Sequence, residues 1–286
     1  MRAVSGLFAR RTSPPERIEL KSAREIDLIR AAGSVVRCVL EEMGRLVRPG
    51  ATTAVLADAA DRIIAEHGGQ PLFRGVRNPS AKIPFPAPVC VSVNDEVVHG
   101  IPGSRVLKEG DIVSIDCGVR LRGYCGDAAE TFPVGTVSGE AARLLNVTSQ
   151  ALALAIAEMR PGRRWSEVAA QVQRFVEQHG FSVVREFVGH GIGRQMHEEP
   201  KVPNYTDRQQ RKADFVLEPG LVIAVEPMVT AGSAAVRCID PTGWTQVTQD
   251  GRLAAHFEHT VAMTPQGVDV LTVGRRSAAA KAGGGT

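Results

Sequence analysis

The sequence predicts an α+β domain made of two related halves, each running helix, helix, then strands. Three observations carry this reading. Segments with helical and with strand periodicity fall in separate blocks, with Gly/Pro turns between the strands. That order favours helices packed on antiparallel sheet over a wound βαβ sheet. Arg48-Pro49-Gly50 recurs as Arg160-Pro161-Gly162 at a shift of 112 residues, and the following stretches run parallel as far as His67-Gly68 and His179-Gly180. Farther on, residues 107–116 are echoed by residues 217–226 at a shift of 110. Each copy reads as a glycine turn (Gly110, Gly220), a short apolar strand and a terminal carboxylate (Asp116, Glu226).

Helices are predicted over 23–47, 53–66, 139–159 and 166–179. In the second and fourth, Leu56 falls on Val168, Ala60 on Val172 and Ile63-Ile64 on Phe175-Val176. Spacing of i, i+4, i+7, i+8 is the buried stripe of an amphipathic helix. Gly68 and Gly180 stand where a helix ends, and His67 and His179 beside them read as structural. Strands are predicted over 88–93, 111–118, 183–188, 221–226 and 256–263.

The chain of 286 residues, 43% hydrophobic, is long enough for a sizeable core. A net charge of +3 is too slight to argue for nucleic acid or membrane surfaces. No apolar run approaches the roughly 20 residues that span a bilayer. The five cysteines (Cys38, Cys90, Cys117, Cys125, Cys238) form no C-x-x-C pair, and their odd number suits a reducing cytosol. Residues 1–17 form an extension with Arg2, Arg10 and Arg11 and no acidic residue before Glu16. It reads as a disordered cytosolic segment or a short organellar transit peptide, the first favoured because it is brief and ends in Pro14-Pro15. Residues 18–274 are expected to form one catalytic domain, and the Ala/Gly-rich tail over 275–286 to be disordered.

The strands carry the chemistry. Asp116 closes the apolar run Ile112-Val113-Ser114-Ile115, where a carboxylate is costly to bury without compensation. Asp127 follows eleven residues later, a spacing that suits a hairpin with the two carboxylates side by side. The duplication sets Glu226 where Asp116 stands, and Glu258 follows in the second half as Asp127 does in the first. Two halves folded face to face bring four carboxylates around one centre. Such a cluster predicts two divalent cations. His190, in Gly189-His190-Gly191-Ile192-Gly193, and His99, in Val98-His99-Gly100-Ile101-Pro102, sit beside glycines in matching contexts, and His197 follows in Met196-His197-Glu198-Glu199-Pro200. His256 and His259 flank Glu258 and are both read as facing away from it, which leaves them out of the site. An oxygen-rich set with one imidazole suits Mn, Fe, Co or Zn.

These phrases, with Val91-Ser92-Val93-Asn94, Ser114-Ile115-Asp116-Cys117-Gly118, Ala224-Val225-Glu226-Pro227-Met228 and Glu258-His259-Thr260, together resemble the type I methionine aminopeptidases. That family has the pita-bread fold shared with prolidase and creatinase. The resemblance covers residues 19–273. It implies Asp116, Asp127, His190, Glu226 and Glu258 as metal ligands, with Asp127 and Glu258 bridging. It further implies Glu226 as general base, His99 at the scissile bond, and His197 on the substrate carbonyl and its tetrahedral successor. Cys90 and Trp244 match positions lining the methionine pocket. Phe85 stands where a tyrosine is common, Met196 where a phenylalanine is common, Lys82 where an aromatic is frequent, and Val98 replaces a cysteine.

The activity implied is removal of the initiator methionine from nascent polypeptides whose second residue is small, by a cytoplasmic monomer in at most transient contact with the ribosome. Only 28 residues separate His197 from Glu226, which leaves no room for the helical insertion of type II enzymes. An Xaa-Pro peptidase of the same fold and a non-catalytic binding protein of that fold are the alternatives.

Overall fold

The computed structural model describes residues 17–273. The expectations for residues 1–16 and 274–286 lie outside the described residues. Four long helices form where periodicity and caps require them: α1 (Ala23–Leu46), α2 (Thr53–Glu66), α3 (Gly139–Glu158) and α4 (Trp165–Gln178). Ser22 starts α1 with a capping box: its hydroxyl accepts the Glu25 N–H at 3.4 Å, and the Glu25 carboxylate accepts the Ser22 N–H at 2.9 Å. Thr52 and Ser138 cap α2 and α3 in the same sense. Helix α4 has no side-chain cap on its leading residue. Instead the Asp214 carboxylate takes the Ser166 N–H at 2.9 Å and its hydroxyl at 2.7 Å.

The duplication is visible in the main chain. Gly50 donates to the Leu107 carbonyl and Gly162 to the Leu217 carbonyl, both at 2.8 Å. Both glycines take φ near +85° (88° and 84°), a conformation L side chains rarely adopt, which explains why Arg-Pro-Gly is kept in each copy. Each half has its own core. Val36, Leu40, Met43, Leu56, Ile64 and Ile115 meet in the first; Leu144, Trp165, Val168, Val172, Ile223 and Val225 meet in the second. All are essentially fully buried, and each such side chain contributes roughly 1.5–3 kcal/mol.

The strands of the first half are β1 (Gln70–Pro71), β2 (Cys90–Val93), β3 (Glu96–Val98), β4 (Ile112–Leu121) and β5 (Tyr124–Pro133). Those of the second are β6 (Ser182–Val183), β7 (Gly189–Gly191), β8 (Glu198–Val202), β9 (Val222–Val225), β10 (Met228–Thr230), β11 (Val236–Cys238), β12 (Gln246–Thr248), β13 (Ala254–His256), β14 (His259–Thr264) and β15 (Gly267–Val270). Among the described residues every strand pairing is antiparallel. In the first half β4 pairs with β5 along one side and with β1 and β2 along the other; in the second the order is β15-β14-β9-β7-β8. The halves meet along β5 and β14. There the Asp127 N–H donates to the Thr260 hydroxyl at 3.0 Å, that hydroxyl donates to the Asp127 carbonyl at 2.7 Å, and the Glu258 N–H donates to the Ala129 carbonyl at 2.9 Å.

Three expectations need correction. The strand expected over 111–118 continues to Leu121, because the hairpin partner β5 pairs with its whole length. The strand expected over 183–188 stops at Val183. Its sheet partner β10 offers one further carbonyl, Met228 to the Val184 N–H at 3.0 Å, and the chain then turns away. The strand expected over 256–263 is two strands in different sheets, broken at Phe257-Glu258.

Candidate active site

The hairpin register decides where the first two carboxylates stand. Asp127 is opposite Gly118, and Asp116 is opposite Ala129, so the acids are diagonal neighbours on one face. Cys90 on β2 lies opposite Asp116. In the second half Glu226 follows the last residue of β9, and Glu258 precedes β14, whose His259 pairs with Val225 of β9. The seam between β5 and β14 therefore closes Asp127 against Glu258.

His190 is inserted by its glycines. A Cβ at Gly189 would lie 2.3 Å from the Ala224 carbonyl oxygen, and one at Gly191 would lie 2.2 Å from that of Glu199. Only glycine fits β7 between β8 and β9 at these points. Nδ1 of His190 is 3.0 Å from the Gly191 carbonyl oxygen, which can only accept; this nitrogen therefore carries the proton. The bare Nε2 faces Glu226 Oε1 at 3.5 Å and Asp127 Oδ2 at 4.0 Å. Ligand atoms of Asp127, His190 and Glu258 lie within 4.8 Å of one another.

His197 stands beside His190, ring centroids 4.3 Å apart. Its loop is clamped from three sides. The buried Lys21 ammonium reaches Glu198 at 2.7 Å, the Arg194 guanidinium covers the Tyr124 ring at 4.6 Å, and the Cys125 N–H donates to the Gly193 carbonyl at 2.8 Å. His99 takes φ of 60°, unusual for a residue with a side chain, and lies edge-on to Phe187 and Trp244 at 5.3 and 6.0 Å.

The structure corrects the expectation that His256 faces away from Glu258. Residues two apart on a strand share a face, so alternation gives no ground for leaving His256 out, and its side chain points inward, with Nε2 at 3.7 Å from Glu226 and 4.0 Å from Glu258. The Thr131 hydroxyl fixes its backbone, accepting its N–H at 2.9 Å and donating to its carbonyl at 2.8 Å. His259 is turned away as expected, its Nδ1 at 2.9 Å from the Thr272 hydroxyl.

Asp116, Asp127, Glu226 and Glu258 line one cleft of about 370 Å³ together with His99, His190, His197 and His256. Its apolar end holds Phe85, Cys90 and Trp244, with Met196 also on the wall. Phe73, Val76, Phe187 and Met228 join them without having been singled out from the sequence. Lys82, noted at a position where an aromatic is frequent, is exposed and does not line the cleft.

Burial is the leading electrostatic fact of the site. It pushes the Asp127 carboxyl up to about 7. Burial, with repulsion among the acids, pushes Asp116, Glu226 and Glu258 well above the usual carboxylate range. Burial also holds His190 and His256 down to about 3 and His99 to about 4, and it lowers His197, so all four imidazoles are neutral at pH 7. Asp116 Oδ1, Asp127 Oδ1, Glu258 Oε1 and His256 Nε2 are buried without a hydrogen-bond partner. Orphaned acceptors of this kind cost free energy, and divalent cations would satisfy them together. The residues fit a divalent metal centre.

A pH dependence follows. Near neutrality these carboxyls hold protons that metal must displace, whereas the imidazoles are already bare. Apparent affinity for Mn(II) should rise as pH goes from 6 to 8, with proton release on loading, measured calorimetrically in buffers of different ionisation enthalpy. Affinity flat across that range would mean the carboxyls are ionised before metal arrives.

Residues 27–265 match metallopeptidase family M24. The chain is 46% identical over 252 residues to methionine aminopeptidase 1 of Bacillus subtilis, covering 88% of this chain and 98% of that protein. It is 47% identical over 256 residues to the methionine aminopeptidase of Clostridium perfringens, covering 90% and 99%. The crystal structure of the methionine aminopeptidase from Thermotoga maritima superposes with a TM-score of 0.83 at 40% identity, over 90% of this chain and 99% of that one. Prolidase from Pyrococcus furiosus shares the fold, with a TM-score of 0.69 at 20% identity over 91% of this chain and 66% of that chain. Family match, identity over nearly the full length of the relatives and the pita-bread architecture agree: the chain belongs to metallopeptidase family M24, among its methionine aminopeptidases.

Proposed function

We propose that this chain is a metal-dependent aminopeptidase that removes the initiator methionine from nascent polypeptides. The observation that carries the reading is a cluster of buried carboxylates and one imidazole, drawn from both halves, at the end of an apolar pocket. The Xaa-Pro alternative is not favoured, since the relatives of high identity and coverage are methionine aminopeptidases.

Asp116, Asp127, His190, Glu226 and Glu258 would hold two divalent ions, Asp127 and Glu258 standing at the seam between the halves. When bound, the ions acidify water and polarise the scissile carbonyl. The pocket formed by Phe85, Cys90, Met196 and Trp244 takes the methionine side chain, its thioether against sulfur and aromatic faces. The free amino terminus then lies against the carboxylates, which limits cleavage to the first peptide bond. Glu226 accepts the proton of the attacking water. His256, with Nε2 3.7 Å from Glu226, adds a neutral imidazole to the wall beside that carboxylate. His197, neutral and with one N–H to give, donates to the carbonyl oxygen as it gains charge. His99, held by its strained backbone between Phe187 and Trp244, contacts the substrate at the scissile bond.

Residues 18–274 act as one catalytic domain, working as a monomer in the cytoplasm where nascent chains emerge, with ribosome contact at most transient. No helix among the described residues is long and apolar enough to cross a membrane. The methionine aminopeptidase reading carries with it a limit to small second residues. Two otherwise identical substrate proteins beginning Met-Ala and Met-Leu, incubated with the Mn-loaded enzyme, test this by intact mass. The first is expected to lose one methionine and the second to stay whole; equal trimming of both would remove the size limit.

A further inference from the structure

The tryptophan of the pocket wall stands in a loop that no helix or strand supports, between β11 and β12. One side chain organises that loop. The carboxylate of Asp240 accepts the N–H groups of Thr242 at 2.6 Å, Gly243 at 3.1 Å, Trp244 at 2.9 Å and, closer still, Thr245, together with the Thr242 hydroxyl. Oδ1 serves Thr242 and Gly243, and Oδ2 serves Trp244 and Thr245. Burial alone would raise this carboxyl, but the bonds from Thr242 and Thr245 outweigh it and hold the group down to about 2. It is ionised throughout the working range.

The folded loop then fastens a second one. The Lys82 N–H donates to the Thr242 carbonyl at 2.8 Å, and the Trp244 indole N–H donates to the Ile83 carbonyl at 2.8 Å. Gly243, with φ of 88°, lies so close to the chain that an added Cβ would sit 2.6 Å from the Ser80 carbonyl oxygen. The fastened segment leads directly to Phe85, whose ring meets Trp244 edge-on at 5.2 Å. Thus the two aromatic walls of the pocket come from two loops joined at one clasp, and the clasp exists only in the shape that Asp240 imposes. Asp240 itself is partly exposed and is not among the residues lining the cleft.

We infer that Asp240 is a positioning residue for methionine selection, acting through the Trp244 loop on the fit of the first side chain and not on the bond-breaking step. The assignment rests on the methionine aminopeptidase reading of the site. Asp240→Ala should raise KM for Met-Ala-Ser roughly tenfold, leave kcat within about twofold, and narrow the preference for Met-Ala-Ser over Leu-Ala-Ser by a similar factor. Asp240→Asn keeps one acceptor oxygen and turns its amide donors toward the other pair of N–H groups. It should lie between wild type and the alanine variant. The chain has two tryptophans, so in a Trp165→Phe background the emission of Trp244 alone should shift to the red when Asp240 is replaced by alanine.

A folded Asp240→Ala enzyme with unchanged KM and unchanged Met/Leu preference would overturn the assignment. So would an alanine variant that loses kcat and metal together or fails to fold, since either would make Asp240 a support of the whole domain. A wild-type enzyme that releases methionine from neither peptide would instead overturn the reading of the site itself. The emission shift would still report whether Asp240 holds the loop.

Discussion

Asp127→Asn should abolish turnover. Asp127 is the residue on which the two halves converge, held by main-chain bonds to Thr260 and facing His190 within 4.0 Å. In the two-ion site proposed above, an amide there could not bridge the cations, and its N–H₂ would present donors where ligand oxygens are needed. Loss of that bridge would remove several kcal/mol of transition-state stabilisation, about 10³-fold or more in rate. The fold should survive, because the contacts to Thr260 belong to the backbone. A second effect has the opposite sign. Without metal, burying these acids is costly whether they ionise or take up protons, and an amide at position 127 escapes that cost, so the metal-free variant should melt above the metal-free wild type. Activity on Met-Ala-Ser, bound metal per chain and paired melting curves read these effects. Full activity in the variant would sink the two-ion site.

His197→Ala should leave the metal in place and lower kcat by roughly 10²–10³-fold, the usual cost of one lost donor to a developing oxyanion. His197 lies beside His190 and is assigned to no ion, and its loop is fixed by Lys21–Glu198 and Arg194–Tyr124 independently of the imidazole. KM should therefore move little. Wild-type kinetics would remove its role; loss of metal would make it a ligand or the support of one.

Much of this was legible in the chain itself. Helices with strong periodicity and capping residues fall within about a residue of their predicted ends, because local stripes and caps set those ends. The copied Arg-Pro-Gly turns and the matching strands 112–116 and 222–225 announced two halves, and therefore a centre between them. From that alone Asp116, Asp127, Glu226 and Glu258 could be brought together, with His190 added by the glycines that make room for it.

What was not legible depends on long-range pairing. His256 is an exception: it lies two residues before Glu258 and shares its face by strand alternation, so the chain alone held reason to include it, and only His259 is turned away. The strand was expected to stop at Gly118, since the apolar run is over by then, yet β5 carries the pairing on to Leu121. Phe73, Val76, Phe187 and Met228 reach the cleft from separate segments with no shared spacing. Asp240 gave no signal either, since one acid in a polar loop declares nothing until its N–H partners are folded around it.

The most direct measurement is release of free methionine from Met-Ala-Ser by the purified chain, with and without chelator, and with Xaa-Pro peptides alongside. The structure predicts release from the methionyl peptide alone, loss of activity on chelation, and recovery when Mn(II) or Co(II) is restored. Cleavage of the Xaa-Pro peptides in its place, or methionine release that chelation leaves untouched, would contradict the account.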